Sequence, residues 1–197
     1  MGTPEASLPV LSIAAPFNKL AAIPAGQVTI RDVAGLYIYD NTLLGIVLTG
    51  AQVKAYLEKS AEYFKPWTTT GPVAADSITN ANATPDYNYD VMGGLDADLT
   101  YDIDLAKTVG SRIVNLAYAG SAVASDSRFV VAINNYRQSG GGNFPHVKGA
   151  PVVYNRTVEI RQLMIDWVSA NKVIDPPSFA SQDWRLVSGG QPVVVTG

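Results

Sequence analysis

The sequence predicts a single α+β domain, residues 1–197, built on a mixed and mostly antiparallel sheet with about three helices. Three observations point there. Of the 197 residues 47% are apolar, enough to bury one sizeable core. Stretches that read as strands outnumber those with a helical period, without regular βα alternation. The strands in the middle of the chain follow one another across connections too short for crossover helices, which favours antiparallel pairing.

Taken in order, Thr29 is placed to cap a short helix that Gly35 weakens and that leads into Tyr39-Asp-Asn41. Residues 42–48 are a nearly continuous apolar run, expected to be a strand. Thr49-Gly50 then opens a helix whose Val53, Tyr56, Leu57, Ala61 and Phe64 fall at helical spacing. Residues 65–86 turn to Thr, Ala, Asn, Gly and Pro with no period, longer than an ordinary loop, and read either as a mobile insertion or as a wall of the site. Next, Leu95, Ala97, Leu99, Tyr101, Ile103 and Leu105 alternate with Asp96, Asp98, Thr100, Asp102 and Asp104, the pattern of a strand with one buried and one wet face. Residues 112–118 and 128–134 are two further strands, expected to pair antiparallel in the same sheet. Asn155 is expected to cap a helix with an apolar stripe of Val158, Ile160, Leu163, Met164, Trp167 and Val168, ended by residues 171–177. Trp184-Arg-Leu-Val and Val193-Val-Val close the chain as short strands.

Composition removes several function classes. A net charge of −3 gives no basic footprint for a polynucleotide, so none is expected as a partner. The absence of Cys excludes disulfides, thiolate catalysis and Cys-ligated zinc. The apolar stretch at residues 8–17 is too short, and too interrupted by Pro9 and Pro16, for an export signal or a membrane span, so the chain reads as a mature or excised segment.

Catalytic motifs are mostly missing. There is no phosphate loop, no nucleophile elbow and no H-E-x-x-H pair. His146 is the only histidine and cannot build a metallophosphoesterase centre, so it reads as a loop or packing residue. Asp96, Asp98, Asp102 and Asp104 lack the spacing of a calcium loop and read as a solvated strand face. Ser139 or Ser121 as a nucleophile would lack a nearby general base.

Two tyrosines carry more. Tyr39 lies at the helix-to-strand junction and Tyr136 begins the loop Ser139-Gly-Gly-Gly-Asn-Phe-Pro, whose glycines let a ligand approach the main chain closely. Asn41 stands near the first, Asn134 and Asn135 beside the second. Aromatic rings with amides nearby suit a base, which offers two π faces and a hydrogen-bonding edge. Two half-buried tyrosines in turns are the alternative.

The order of these pieces resembles a known family. The run Ile23-Pro-Ala-Gly-Gln-Val-Thr-Ile-Arg-Asp-Val, then Tyr39-Asp-Asn41-Thr, then Leu48-Thr-Gly-Ala-Gln-Val-Lys-Ala-Tyr-Leu-Glu58 resembles the opening half of the 5'-nucleotidase C-terminal domain. Tyr87-Asn-Tyr-Asp-Val-Met-Gly93, Tyr101-Asp-Ile-Asp-Leu105 and Ala132-Ile-Asn-Asn-Tyr-Arg-Gln-Ser-Gly-Gly-Gly142 resemble its second half, so that the match covers about residues 8–172. The resemblance implies that Tyr39 and Tyr136 sandwich the base of a nucleoside or nucleotide, with Asn41 on its edge, Asn135 beside it, and Gly140, Gly141 and Gly142 shaping the pocket. Tyrosine at both positions and Ala14-Ala15-Pro16-Phe17 are more similar to the 2',3'-cyclic-nucleotide phosphodiesterase branch than to the UDP-sugar hydrolase branch. Arg137 would stand in for an arginine contact made in some relatives.

The resemblance also implies that the hydrolytic chemistry, with two divalent metal ions, belongs to an N-terminal metallophosphoesterase domain of the same natural chain. No cofactor is expected in this chain, and no phosphatase activity from it alone. A periplasmic, cell-wall-associated or secreted location of the full-length protein is implied in the same way. A surface or interaction module that has kept the fold and lost the ligand is the rival reading.

Overall fold

The computed structural model describes residues 4–16, 20–69 and 71–196; Phe17 of the Ala-Ala-Pro-Phe stretch and the first three residues of the leader lie outside them. Its elements in chain order are β1 (Val10–Ala14), α1 (Ile30–Leu36), β2 (Thr42–Thr49), α2 (Gly50–Ser60), β3 (Val73–Ala74), α3 (Ala75–Ile78), β4 (Val91–Gly94), β5 (Leu99–Asp104) and β6 (Ile113–Tyr118). There follow β7 (Ser121–Ala122), β8 (Arg128–Asn134), α4 (Asn135–Gln138), β9 (Val152–Glu159), α5 (Ile160–Asn171), β10 (Trp184–Ser188), β11 (Gln191–Pro192) and β12 (Val195–Thr196). The α+β class holds: antiparallel pairings predominate, and α1, α2 and α5 are the three helices of seven residues or more among the described residues.

Two five-stranded sheets carry the fold, in the orders β4-β1-β8-β2-β9 and β11-β10-β5-β6-β7. A continuous core runs from Leu11, Ile46, Leu48 and Val131 of the first sheet to Leu99, Ile103 and Ile113 of the second. Helix α2 touches both, burying Val53, Tyr56 and Leu57 as its spacing predicts. Thr49 caps it in a box with Gln52, and Thr29 caps α1 in the same way with Asp32, each box satisfying two otherwise orphaned N–H groups. Glu58, also buried, accepts from the Arg112 and Ile113 N–H groups at 2.8 and 2.9 Å, tying α2 to the start of β6.

Several sequence expectations need correction. The alternating run at residues 95–105 is not one strand: Leu95 is exposed, Asp96 and Asp98 lie in the turn between β4 and β5, and Asp102 and Asp104 are buried. Thr100 stays exposed, but farther along β5 the two carboxylates are covered by groups from the neighbouring segments. Arg185 of β10 and Asn115 of β6 bond Asp102, at 2.6 and 2.7 Å, and Asp104 accepts from the Gly189 N–H. Nor do residues 112–118 and 128–134 share a sheet. The first are β6, antiparallel to β5; the second are β8, between β1 and β2 in the other sheet. Asn155 does not cap a helix but lies inside β9, opposite Leu44. The β-branched residues around it are recruited as a strand by the open edge of β2, and α5 starts only after Glu159.

Residues 65–86, described except for Thr70, are anchored rather than structureless. Val73 and Ile78 are buried in the core, β3 pairs with β12, and the Lys65 and Asn80 N–H groups bond Ile78 O and Tyr63 O.

Candidate functional site

Strand direction explains where the site forms. Strand β2 runs antiparallel to β8, with Leu43 opposite Asn134, so the start of β2 meets the end of β8. Strand β1 runs parallel to β8 and antiparallel to β4, with Ala14 opposite Val91, so the start of β4 comes to the same end of the sheet. The chain entering β2 carries Tyr39 and Asn41, the chain leaving β8 carries Tyr136, and the chain entering β4 carries Tyr87.

These four side chains line a cavity of about 340 Å³, near the lower end of the roughly 300–1,000 Å³ usual for small-molecule sites. Tyr39, Tyr87 and Tyr136 are each about two-fifths exposed, at 41%, 40% and 46%. Two of the tyrosines and the asparagine are those singled out from sequence; Tyr87, on the 3-10 turn Asp86–Asn88, is not. It opens the stretch Tyr87-Asn-Tyr-Asp-Val-Met-Gly93, yet nothing in its local pattern separates it from the neighbouring Tyr89, which packs against Tyr63, Phe64 and Trp184.

The Tyr39 wall is braced from behind. Tyr37 is buried and meets Tyr39 edge-on at 6.4 Å between ring centroids, and its hydroxyl accepts from the Asn41 Nδ2 at 3.1 Å. Burial raises the Tyr37 pKa above its ordinary value, so the group stays a neutral phenol. From α5, Arg161 reaches the Asp40 carboxylate and the Ile38 carbonyl, on either side of Tyr39.

The opposite part of the site is built on α4, a single turn. Asn134 caps it, its side-chain oxygen accepting from the Arg137 N–H at 2.6 Å. Asn135 accepts from the Thr42 N–H at 3.1 Å, which joins α4 to the start of β2; it is not among the residues lining the cavity. In the glycine loop, a Cβ on Gly141 would lie 2.4 Å from the Tyr136 ring, so the bare backbone is what lets the ring lie against it. A Cβ on Gly142, at φ +75°, would lie 2.2 Å from Arg137 Nη1. The Ser139 hydroxyl donates to Tyr136 O at 2.8 Å.

Arg137 departs from its expected role. It is fully buried, and all five of its side-chain N–H groups are used: Asp90 takes Nε and one Nη2 bond, Tyr87 O the other, and Asn88 Oδ1 and Gly141 O share Nη1. It therefore has no donor left to touch a ligand. Burial pushes the Asp90 carboxyl above its ordinary value, opposed by the Arg137 charge and by a bond from the Tyr56 hydroxyl. Burial and Asp90 together push the Tyr56 phenol well upward, which keeps it a donor.

Among the described residues no three His, Asp or Glu side chains are grouped to hold a metal ion, and His146 is exposed at a left-handed turn. No helix of the described residues is long and apolar enough to cross a membrane.

A small cavity walled by aromatic rings, with one amide among them, offers stacking faces and a hydrogen-bonding group. Similarity to known proteins identifies the family. The family model for the 5'-nucleotidase C-terminal domain matches residues 5–149, and the chain belongs to that family. It is 36% identical to the trifunctional nucleotide phosphoesterase protein YfkN of Bacillus subtilis over 93% of this chain, and 32% identical to the 2',3'-cyclic-nucleotide 2'-phosphodiesterase/3'-nucleotidase of Haemophilus influenzae over 92%. The chain spans only 14% and 30% of those two proteins. A Staphylococcus aureus structure assigned as a 5'-nucleotidase, in complex with α-ketoglutarate, superposes with a TM-score of 0.73 at 32% identity, over 90% of this chain and 33% of that one. The 5'-nucleotidase precursor of Thermus thermophilus shares the fold, with a TM-score of 0.67 at 20% identity over 95% of this chain and 32% of that one.

Proposed function

We propose that this chain is the substrate-binding domain of a nucleotide phosphohydrolase, a 5'-nucleotidase or 2',3'-cyclic-nucleotide 2'-phosphodiesterase, and that it holds the nucleobase between Tyr39 and Tyr136. The observation that carries this reading is that the two tyrosines, from distant segments, line one cavity together with Asn41. Asn41 gives one N–H to Tyr37, and its carbonyl oxygen and second N–H serve the base edge. Asn135 offers its amide N–H groups and the second lone pair of an oxygen that already accepts from Thr42. Gly140, Gly141 and Gly142 shape the wall beneath Tyr136.

Held in this way, the nucleoside end leaves its phosphate directed away from the aromatic walls. Binding energy gained far from the reacting bond then supplies orientation and specificity. The hydrolytic step belongs to an N-terminal metallophosphoesterase domain of the natural chain, with two divalent metal ions held there; among the described residues of this chain no three His, Asp or Glu side chains are grouped to hold such an ion. The reading includes export of the full-length protein, which fractionation of the native host would check.

Calorimetric titration with adenosine and AMP tests the base clamp. Tyr136→Ala is expected to weaken binding roughly tenfold or more, since stacking on an aromatic side chain is worth roughly 1–3 kcal/mol per base. Unchanged affinity sinks the sandwich, and no binding of any nucleoside to the unaltered chain favours the interaction-module reading. Metal-dependent turnover of 2',3'-cyclic AMP or a 5'-nucleotide by the purified chain would refute the assignment of chemistry elsewhere.

A further inference from the structure

We propose that Tyr87 is a third ligand-contacting wall of the cavity, and that Arg137 is the positioning residue that fixes its spacing from Tyr136. The proposal rests on the nucleobase reading above.

Tyr87 lines the cavity with a ring 40% exposed, on a turn that belongs to no sheet. Such a turn needs an external brace to hold a ring in place. Arg137 provides one: its Nη2 donates to the Tyr87 carbonyl at 2.9 Å, and its Nη1 to Asn88 Oδ1 at 3.1 Å. The same Nη1 donates at 2.8 Å to the carbonyl of Gly141, the residue whose bare backbone lies against the Tyr136 ring. One rigid guanidinium thus joins the backbone beneath two aromatic walls that come from separate segments. Its Nε and remaining Nη2 bonds, at 2.9 and 2.7 Å, run to Asp90, which is held in turn by Tyr56 of α2.

A buried ion pair contributes little net stability over apolar residues of the same volume. What this one supplies is geometry: the planar fork spans two carbonyls and a carboxylate at fixed angles, which a lysine ammonium cannot do. Because every N–H of Arg137 is used inside the protein, its effect on a ligand has to pass through the walls it holds.

Calorimetric titration of the chain with adenosine, across Tyr87→Ala, Arg137→Lys, the double variant and Tyr136→Ala, tests both parts. Tyr87→Ala is expected to weaken binding about fivefold or more, the weak end of an aromatic contact with a base. Arg137→Lys should weaken it comparably and have a clearly smaller effect once Tyr87 is Ala, because the part of its action that passes through that ring is then gone. Independent losses that multiply in the double variant overturn the positioning role. Tyr87→Ala within about twofold of the unaltered chain, the scale of a surface change with no role, overturns the third wall. A loss on Tyr136→Ala with none on Tyr87→Ala leaves the base clamp standing without this proposal, whereas no loss on either removes the clamp itself. If Arg137→Lys does not fold, an Arg137→Met, Asp90→Leu pair takes its place in the same comparison; if neither folds, Arg137 is required by the fold rather than by the site, which overturns its positioning role, and Tyr87→Ala decides the third wall.

Discussion

Gly141→Ala separates the pocket from the fold with a single methyl group. The added Cβ would sit 2.4 Å from Cε1 and Cζ of Tyr136, whereas carbon atoms prefer about 3.5–4.0 Å. The ring must therefore shift by roughly 1 Å. Gly141 does not adopt a positive φ, so alanine fits its backbone, and Tyr136 is exposed enough to swing aside. Stability should change by no more than about 0.5 kcal/mol, as for an ordinary surface substitution. The ring, however, can shift only by leaving its place along the cavity, and a stacked base then loses part of the roughly 1–3 kcal/mol that stacking provides. An adenosine affinity at least about fivefold weaker, with an unchanged melting temperature, is the expected result by calorimetry and thermal unfolding. Equal affinity in both proteins would show that the Tyr136 ring is not where the base binds.

Gly142→Ala should behave in the opposite way. Its positive φ and the 2.2 Å approach to Arg137 Nη1 combine backbone strain with displacement of a buried guanidinium, so a loss of roughly 3 kcal/mol or more and a melting point lower by about 6–12 °C are expected for a chain of this size. A melting point within 2 °C of the parent, about the scale of a single kcal/mol, would show that the loop relaxes at no cost. Asp102→Asn tests the second sheet. Burial raises the Asp102 carboxyl, but bonds from Arg185 and Asn115 and the Arg185 charge outweigh it and leave the pKa lowered. The carboxylate thus stabilises the fold above its unfolded value of about 3.9, and that contribution is lost as pH falls through the lower folded value. Arg185 is more than half exposed, so solvent screens the pair and the contribution is small. Melting curves from pH 6 to pH 2 should fall less steeply below about pH 4 in the variant, and parallel curves would show that the pair is not linked to folding.

What could be read from the sequence was local. Thr29 and Thr49 announce their helices because a capping box is completed within four residues, and residues 42–48 announce a strand because both of its faces are covered. The misread elements depend on partners far along the chain. Asp102 looks like a solvated residue until Arg185 is brought across from a parallel strand, and Asn155 looks like a cap until β2 offers it an edge. The run at residues 95–105 has a strand period, but that period cannot reveal that Leu95 and Asp96 fall in a turn.

The site divides along the same line. Tyr39, Asn41 and Tyr136 are legible because each stands on a connection next to amides and, for Tyr136, next to three glycines. Tyr87 is not, because its place depends on a guanidinium whose own position depends on Asp90 and on the missing side chain of Gly142. The glycine loop is consequently better explained by what it holds than by what it would touch. Gly141 leaves room for the ring of Tyr136 and Gly142 leaves room for Arg137, so that two of the three glycines are required by the protein's own side chains. A pocket built in this way has its shape set before any ligand arrives, which lowers the ordering cost of binding. Its affinity should therefore be more sensitive to the buried residues under the walls than their lack of ligand contact would suggest.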